Sequence, residues 1–244
     1  MYSKKQLHDR AIQDYDHAIR LKPDDAARFY VNRGNAYSEK GLPDQAIQDY
    51  DKAIQLNPND AFTYKNRAGA NSIKGLKDHA IQDYNQAIRI NPNYAEAYYS
   101  RGTIYSEKGL FEQAIKDFDR AVSIKPGYVA AYNNRGNVYA NRQSYDRAIQ
   151  DYDQAIKLNP DLAEAYHNRG KALQSKGVID RAIEDYDEAI RLKPLYAHAY
   201  GSRGTAFDAL GRHRDAVRDY KRQYELGSRP EWLVKKLRDL GVLK

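Results

Sequence analysis

Six arginines and six aspartates recur through this chain at a single spacing. Arg33, Arg67, Arg101, Arg135, Arg169 and Arg203 stand 34 residues apart, and Asp49, Asp83, Asp117, Asp151, Asp185 and Asp219 follow them by 16 residues each. A guanidinium is a planar fork of donors that fits carboxylate or phosphate. The arginine row is therefore either a run of anion sites or one half of a repeated intramolecular pair. An aspartate accompanying every arginine favours the pair. Other reactive chemistry is sparse. His167 and His198, 31 residues apart, have the donors to share a metal or a carboxylate, but solvated side chains are the simpler reading. There is no His-Glu-x-x-His run, no Ser/His/Asp set, no glycine-rich phosphate loop and no cysteine. The expectation is a protein that is not an enzyme and uses no metal or cofactor.

The elements that would position these residues follow from the same period. Pro58, Pro92, Pro126, Pro160 and Pro194 are also 34 residues apart, and Gly41, Gly75, Gly109 and Gly177 fall midway between such breaks. Between the breaks, apolar and small residues recur at helical spacing, as in Ala46, Ile47, Tyr50, Ala53, Ile54 and Leu56. The period divides the chain into a partial repeat over 1–25 with its second helix complete, and repeats over 27–60, 61–94, 95–128, 129–162, 163–196 and 197–228. A final helix over 229–244 closes the series. Each repeat reads as two antiparallel helices of about 13 residues. Counting outward from Gly41 brings Arg33 and Asp49 to about the same level, which predicts an interhelical clamp repeated through all six hairpins.

The pattern resembles the tetratricopeptide repeat: the 34-residue length, Gly34 with Tyr37, Ala46, Tyr50, Ala53 and Pro58 match that family's small, aromatic and proline places, and they recur along nearly the whole chain. The resemblance implies an all-α fold, an α-solenoid in which antiparallel helix pairs wind into a right-handed superhelix, with the first helices lining a concave groove. Where the family usually carries Leu, this chain carries the arginine row. Sixteen of the 22 tyrosines fall at three repeating places, represented by Tyr30, Tyr50 and Tyr37, and are expected to be core.

Family members commonly hold an extended peptide by first-helix asparagines. Here Asn32, Asn66, Asn134 and Asn168 occupy one equivalent place, with Ser100 and Ser202 in the other two, and Asn35 and Asn137 lie three residues further on nearly the same face. An amide both donates and accepts, so such a row can read any peptide backbone. Asn133, His167 and Lys171 complete the expected groove. Specificity is expected from Phe62 beside Val31, from Tyr99 beside Ala130, and from Lys65, which Glu96 is expected to neutralise. The clamp for chaperone tails known in the family lacks its matching residues, with Gly69, Glu96 and Ala130 in the wrong places.

Composition and charge set the alternatives. Of 40 basic and 33 acidic residues, 11 and 6 lie in 197–244, leaving 29 against 27 over the rest. The excess of +7 is therefore concentrated at the C-terminal end, which argues against a nucleic-acid surface running along the chain. No apolar run is long enough for a membrane span, and a cytoplasmic protein is favoured. A protein or peptide is the expected partner. Two other readings stay open: self-assembly through the half-covered face of residues 10–21, which suggests a piece of a longer chain, and polyanion or RNA binding through the basic end. At that end, Ser228 to Glu231 reads as a capping box for a helix whose apolar stripe is Trp232, Leu233, Leu237 and Leu240.

Overall fold

Glycines and prolines end the helices where the spacing predicts. The computed structural model describes residues 4–243. Helix α2 (Ala26–Glu39) closes with Gly41 at φ +75°, its N–H bonded to the Ser38 carbonyl while Leu42 N–H reaches Tyr37, both at 2.9 Å. This left-handed C-terminal turn suits glycine because an L side chain is crowded there. Repeat four makes the same turn with Gln143, at φ +59°. Helix α3 (Pro43–Leu56) then runs back along α2.

Two compact units share the chain, over residues 1–126 and 127–244. In the first, α1 (Lys4–Leu21) and a 3-10 turn at Pro23–Asp25 precede the hairpins α2–α3, α4 (Ala61–Ile73) with α5 (Lys77–Ile90), and α6 (Ala95–Glu107) with α7 (Phe111–Ile124). In the second, α8 (Val129–Asn141) pairs with α9 (Tyr145–Leu158), α10 (Ala163–Ser175) with α11 (Ile179–Leu192), and α12 (Ala197–Ala209) with α13 (His213–Glu225); α14 (Glu231–Asp239) packs on α13. Within each unit every helix packs on the next, and first helices also touch one another, as α2 with α4 and α10 with both α8 and α12. The described residues contain helices and turns and no strand. The fold is an all-α solenoid of helix hairpins.

Each hairpin closes by placing an aromatic ring over a small residue. Tyr50, Tyr84, Tyr152, Tyr186 and Tyr220, with Phe118, are buried among alanines such as Ala46, Ala80 and Ala182. A Cβ on Gly170 would lie 2.7 Å from the Tyr186 ring, and one on Gly34 the same distance from Tyr50. The glycines are there so that the helices can approach over a flat ring.

Four expectations need correction. The tyrosines in the place of Tyr30 are half-buried, not core; each lies beneath the arginine three residues on, with 5.3–5.6 Å from guanidinium carbon to ring centre. Residues 4–21 form one unbroken helix, which runs through Gln6 without the turn that Gln143 makes at the same place of repeat four; Met1, Tyr2 and Ser3 lie outside the described residues. The capping box does not form. Helix α14 starts after Pro230 with no side-chain cap, and Ser228 Oγ accepts from Gln223 Nε2 at 3.1 Å. Of the apolar stripe, Leu233 and Leu237 are fully buried, whereas Trp232 and Leu240 stay about half exposed.

Candidate functional site

The arginine row is an internal brace. In each hairpin the guanidinium grips its aspartate with two parallel bonds: Arg33 Nε and Nη2 reach Asp49 at 2.8 and 2.6 Å, Arg169 reaches Asp185 at 2.9 and 2.6 Å, and Arg203 reaches Asp219 at 2.7 and 2.8 Å. Arg67–Asp83, Arg101–Asp117 and Arg135–Asp151 repeat the geometry. The aspartates are at most 6% exposed. The carboxylate of Asp185, bonded to the Arg169 guanidinium, raises the arginine's hold on its proton against the opposing effect of burial.

Arg33, Arg67, Arg101, Arg169 and Arg203 also have a third arm, which the hairpin geometry alone does not predict. Arg67 Nη1 bonds Asp51 at 2.6 Å, Arg169 Nη1 bonds Asp153 at 2.6 Å, Arg101 reaches Asn85, Arg33 reaches Asp16, and Arg203 reaches Asp187. Each of these acceptors sits on the second helix of the preceding repeat, so one arginine both closes its own hairpin and ties it to its neighbour. A second ladder crosses between repeats through Lys74–Asp44, Lys108–Asp78 and Lys176–Asp146. The signal for both is present in the sequence as an acidic or amide residue two places after Asp14, Asp49, Asp83, Asp117, Asp151 and Asp185, and as the lysine before most turn glycines.

The opposite side of the first helices carries open hollows. In the first unit, Asn35, Phe62, Lys65 and Asn66 line one of about 370 Å³, with Tyr50 and Ile73. Asn35 Oδ1 accepts from the Tyr50 hydroxyl at 2.8 Å and from Asn66 Nδ2 at 2.9 Å, which joins two repeats and leaves the Asn66 carbonyl and Asn35 amino group for other partners. Phe62 is 45% exposed and carries the Lys65 ammonium 5.0 Å above its ring. Glu96 adjoins Lys65 and its charge favours the ammonium, but no ion pair joins the two among the described residues. Glu96 instead pairs with Lys125 at 3.3 Å, and burial lowers the Lys65 pKa against the pull of Glu96. Val31 is buried and lines a separate hollow with Ala53 and Thr63. Asn32 is exposed on α2, Tyr99 packs 5.9 Å from Phe118 between ring centres, and Ser100 is half-buried on α6.

In the second unit, Asn137, Asn168 and Lys171 line a hollow of about 410 Å³ with Asn141, Tyr145 and Tyr152. Asn137 accepts from the Tyr152 hydroxyl at 2.8 Å, and Asn168 Nδ2 donates to Asn133 Oδ1 at 3.3 Å. Asn134 is half-buried on α8. Toward the last helix a larger cleft of about 700 Å³ opens among α10, α12, α13 and α14, with His167, Lys171, Ser202, Gln223, Arg229 and Trp232 in its walls. His167 is not the solvated residue expected. It is 7% exposed, with Nε2 3.0 Å from Ser202 Oγ and Nδ1 3.2 Å from the Tyr196 hydroxyl. Burial, reinforced by Lys171 and His198, lowers its pKa to about 4, so the ring is neutral at pH 7. His198 is exposed. No cluster of three or more potential metal ligands occurs among the described residues.

Profiles of tetratricopeptide repeats match residues 1–25, 27–60, 74–109, 95–128, 136–177 and 167–229. The chain belongs to the tetratricopeptide repeat family. No curated protein matches it by sequence. Among solved structures it is similar to MamA, at 28% identity over 68% of this chain and 96% of that one, with a TM-score of 0.63. It is also similar to YrrB, described as a TPR protein with an unusual peptide-binding site, at 22% identity over 78% and 97% of the two chains and a TM-score of 0.65. PilF of Pseudomonas aeruginosa shares the fold at 17% identity, over 89% and 99%, with a TM-score of 0.76.

Tetratricopeptide repeats are in general protein-interaction scaffolds without catalytic activity. In this member part of the basic C-terminal end is paired: Lys236 with Asp208, Arg222 with Glu225, and both Arg212 and Arg218 with Asp215. Burial opposes ionisation of Asp208, yet bonds from Lys236, His213 and Tyr220 bring its carboxyl below the ordinary range. Among the described residues no helix is long and apolar enough to cross a membrane.

Proposed function

We propose that this protein is a non-catalytic scaffold that binds an extended segment of a partner protein along the first-helix face. The observation that carries the reading is the division of labour on those helices. Their arginines, small residues and neighbouring rings close the hairpins, while asparagine amides line open hollows in both units. Asn66 and Asn168 each offer a carbonyl oxygen beside an amino group already fixed by a neighbouring asparagine, which holds the amide in place for a peptide group. Phe62 and Ile73, both exposed, form an apolar place for a side chain, and Lys65 adds a cation beside it.

The test begins with peptides selected from a random library on the full chain and titrated by fluorescence anisotropy. Replacing Asn32, Asn66, Asn134 and Asn168 together by alanine should weaken binding by orders of magnitude, since each amide bond contributes about 0.5–1.5 kcal/mol. Helicity should be unchanged. Phe62→Ala should change which peptides are selected more than how tightly the backbone is held. Unchanged affinity in the quadruple variant would remove the asparagine face from the proposal.

A further inference from the structure

The last hairpin departs from its predecessors at two places, and the structure shows them to be one device. In the five repeats before it, a buried alanine occupies the place of Gln223: Ala53, Ala87, Ala121, Ala155 and Ala189. Opposite, on the first helix, Gly201 stands where the other repeats carry Val31, Lys65, Tyr99, Asn133 and His167. A Cβ on Gly201 would lie 2.3 Å from Gln223 Oε1 and 2.6 Å from its Cδ. The glycine therefore makes the room that the glutamine fills. Gln223 is only 4% exposed, its Nε2 donates to Ser228, and its Oε1 is buried without a hydrogen-bond partner. Buried amides without a partner are rare in folded proteins. This one lies in the wall of the 700 Å³ cleft.

The rest of the cleft defines what such a group would meet. Lys171, Arg229 and His198 line it and no acidic residue does. Lys171 is exposed and makes no hydrogen bond or ion pair among the described residues. Arg229 holds Tyr224 by its Nε and stacks on that ring at 4.4 Å, which leaves the outer guanidinium nitrogens for a ligand. The neutral His167 fixes the Ser202 hydroxyl in the same wall. Trp232, 47% exposed and edge-on to Tyr220 at 5.6 Å, supplies an apolar side. Lys171 also lines the hollow that contains Asn168 and Asn137, so a chain leaving the cleft on that side enters the amide-lined face.

We infer that this end cleft is a subsite for an acidic side chain, aspartate or glutamate, within an extended peptide. Lys171 and Arg229 meet the carboxylate, and the Gln223 amide completes its hydrogen bonding on the ligand's peptide group. Because the Ser228 hydroxyl can accept or donate, the amide can turn either its oxygen or its nitrogen toward the ligand. The assignment rests on the peptide-binding reading and adds to it a charge class and a location.

Trp232 is the single tryptophan of the chain, so its emission reports on this cleft alone. The probes are a short extended peptide bearing internal glutamates, its glutamine counterpart, and the C-terminally amidated form of each. Each is labelled for anisotropy and titrated against the full chain while Trp232 emission is followed. The glutamate peptide should shift the emission and bind about tenfold or more tighter than the glutamine peptide, with or without amidation. Lys171→Ala with Arg229→Ala should remove most of that preference, and Gln223→Ala, which restores the residue of the other repeats, should weaken both peptides alike, each at unchanged helicity. Equal binding of the two peptides, a preference that disappears on amidation, or a Trp232 signal unaffected by the variants would overturn the subsite. Peptides that bind by anisotropy and leave Trp232 silent would do so while sparing the face proposed above. Absence of any peptide binding would overturn both.

Discussion

The two sides of each first helix follow opposite rules. On the side facing its hairpin partner, the arginine and the small residue after it recur with little change, and the structure gives them the same partners each time: a bidentate aspartate, a tyrosine beneath the guanidinium, and a ring against the small residue. On the open side, one place holds Val31, Lys65, Tyr99, Asn133, His167 and Gly201 in turn. Repetition marks what the fold needs in every repeat, and variation marks where the repeats are free to differ. A repeat array is stabilised by its hairpins and by nearest-neighbour contacts, so identical contacts can recur along it without loss of fit. A ligand lying across it meets each repeat once.

The sharpest way to test that contrast is to break one brace. Arg169→Leu leaves Asp185 buried without its partner and also releases Asp153, and should cost about 3–5 kcal/mol. Arg169→Leu with Asp185→Leu should recover most of this, because the desolvation penalty of both charges is removed. Urea midpoints of the two variants decide it. A single variant as stable as the parent would mean that the arginines are not what holds the hairpins.

His167 is where the contrast blurs, since it occupies an open-side place yet is buried. Its folded-state pKa of about 4 lies below the usual imidazole value of 6.5. Between those values the unfolded chain binds the proton and the folded chain does not. Stability should therefore fall as pH falls from about 6.5 to 4, by about 3 kcal/mol from this residue. Lys171 and His198 oppose its protonation and Glu164 favours it. Thermal unfolding across this range should show a weaker dependence in His167→Asn than in the parent. Equal dependence would place the proton elsewhere.

The smallest effect concerns the one turn that breaks its own pattern. Gln143 holds the left-handed conformation that glycine holds in the other five hairpins. Gln143→Gly should stabilise by about 0.5–1 kcal/mol, the relief of side-chain crowding being partly offset by the greater freedom of unfolded glycine. A chemical-denaturation midpoint that does not rise would show that the turn holds glutamine without strain.

Much of this architecture is legible in the order of residues. The 34-residue period carries the hairpins, their turns and the Arg–Asp pairs, because each depends on spacing within one repeat. The reach of Arg67, Arg101, Arg169 and Arg203 to Asp51, Asn85, Asp153 and Asp187 is present only as a periodic acid or amide, since nothing in a linear pattern says which neighbour a third guanidinium nitrogen faces. The pairing of Glu96 with Lys125 instead of Lys65 is hidden for the same reason. Gln223 stands out as a departure from alanine, but its meaning depends on Gly201, 22 residues earlier.

The sequence by itself determined the hairpins, their number, the family and the residues of each brace. Helical period, turn glycines and complementary charge act over distances that one repeat spans, and repetition made each signal many times stronger than a single motif. Only the tertiary structure decided which side of a half-apolar residue meets water. It turned the tyrosines of the Tyr30 place into covers for the arginines, withdrew His167 from solvent, left Trp232 half exposed and joined Gly201 to Gln223 across two helices. Those outcomes depend on the distance between elements packed side by side, which no spacing along the chain encodes.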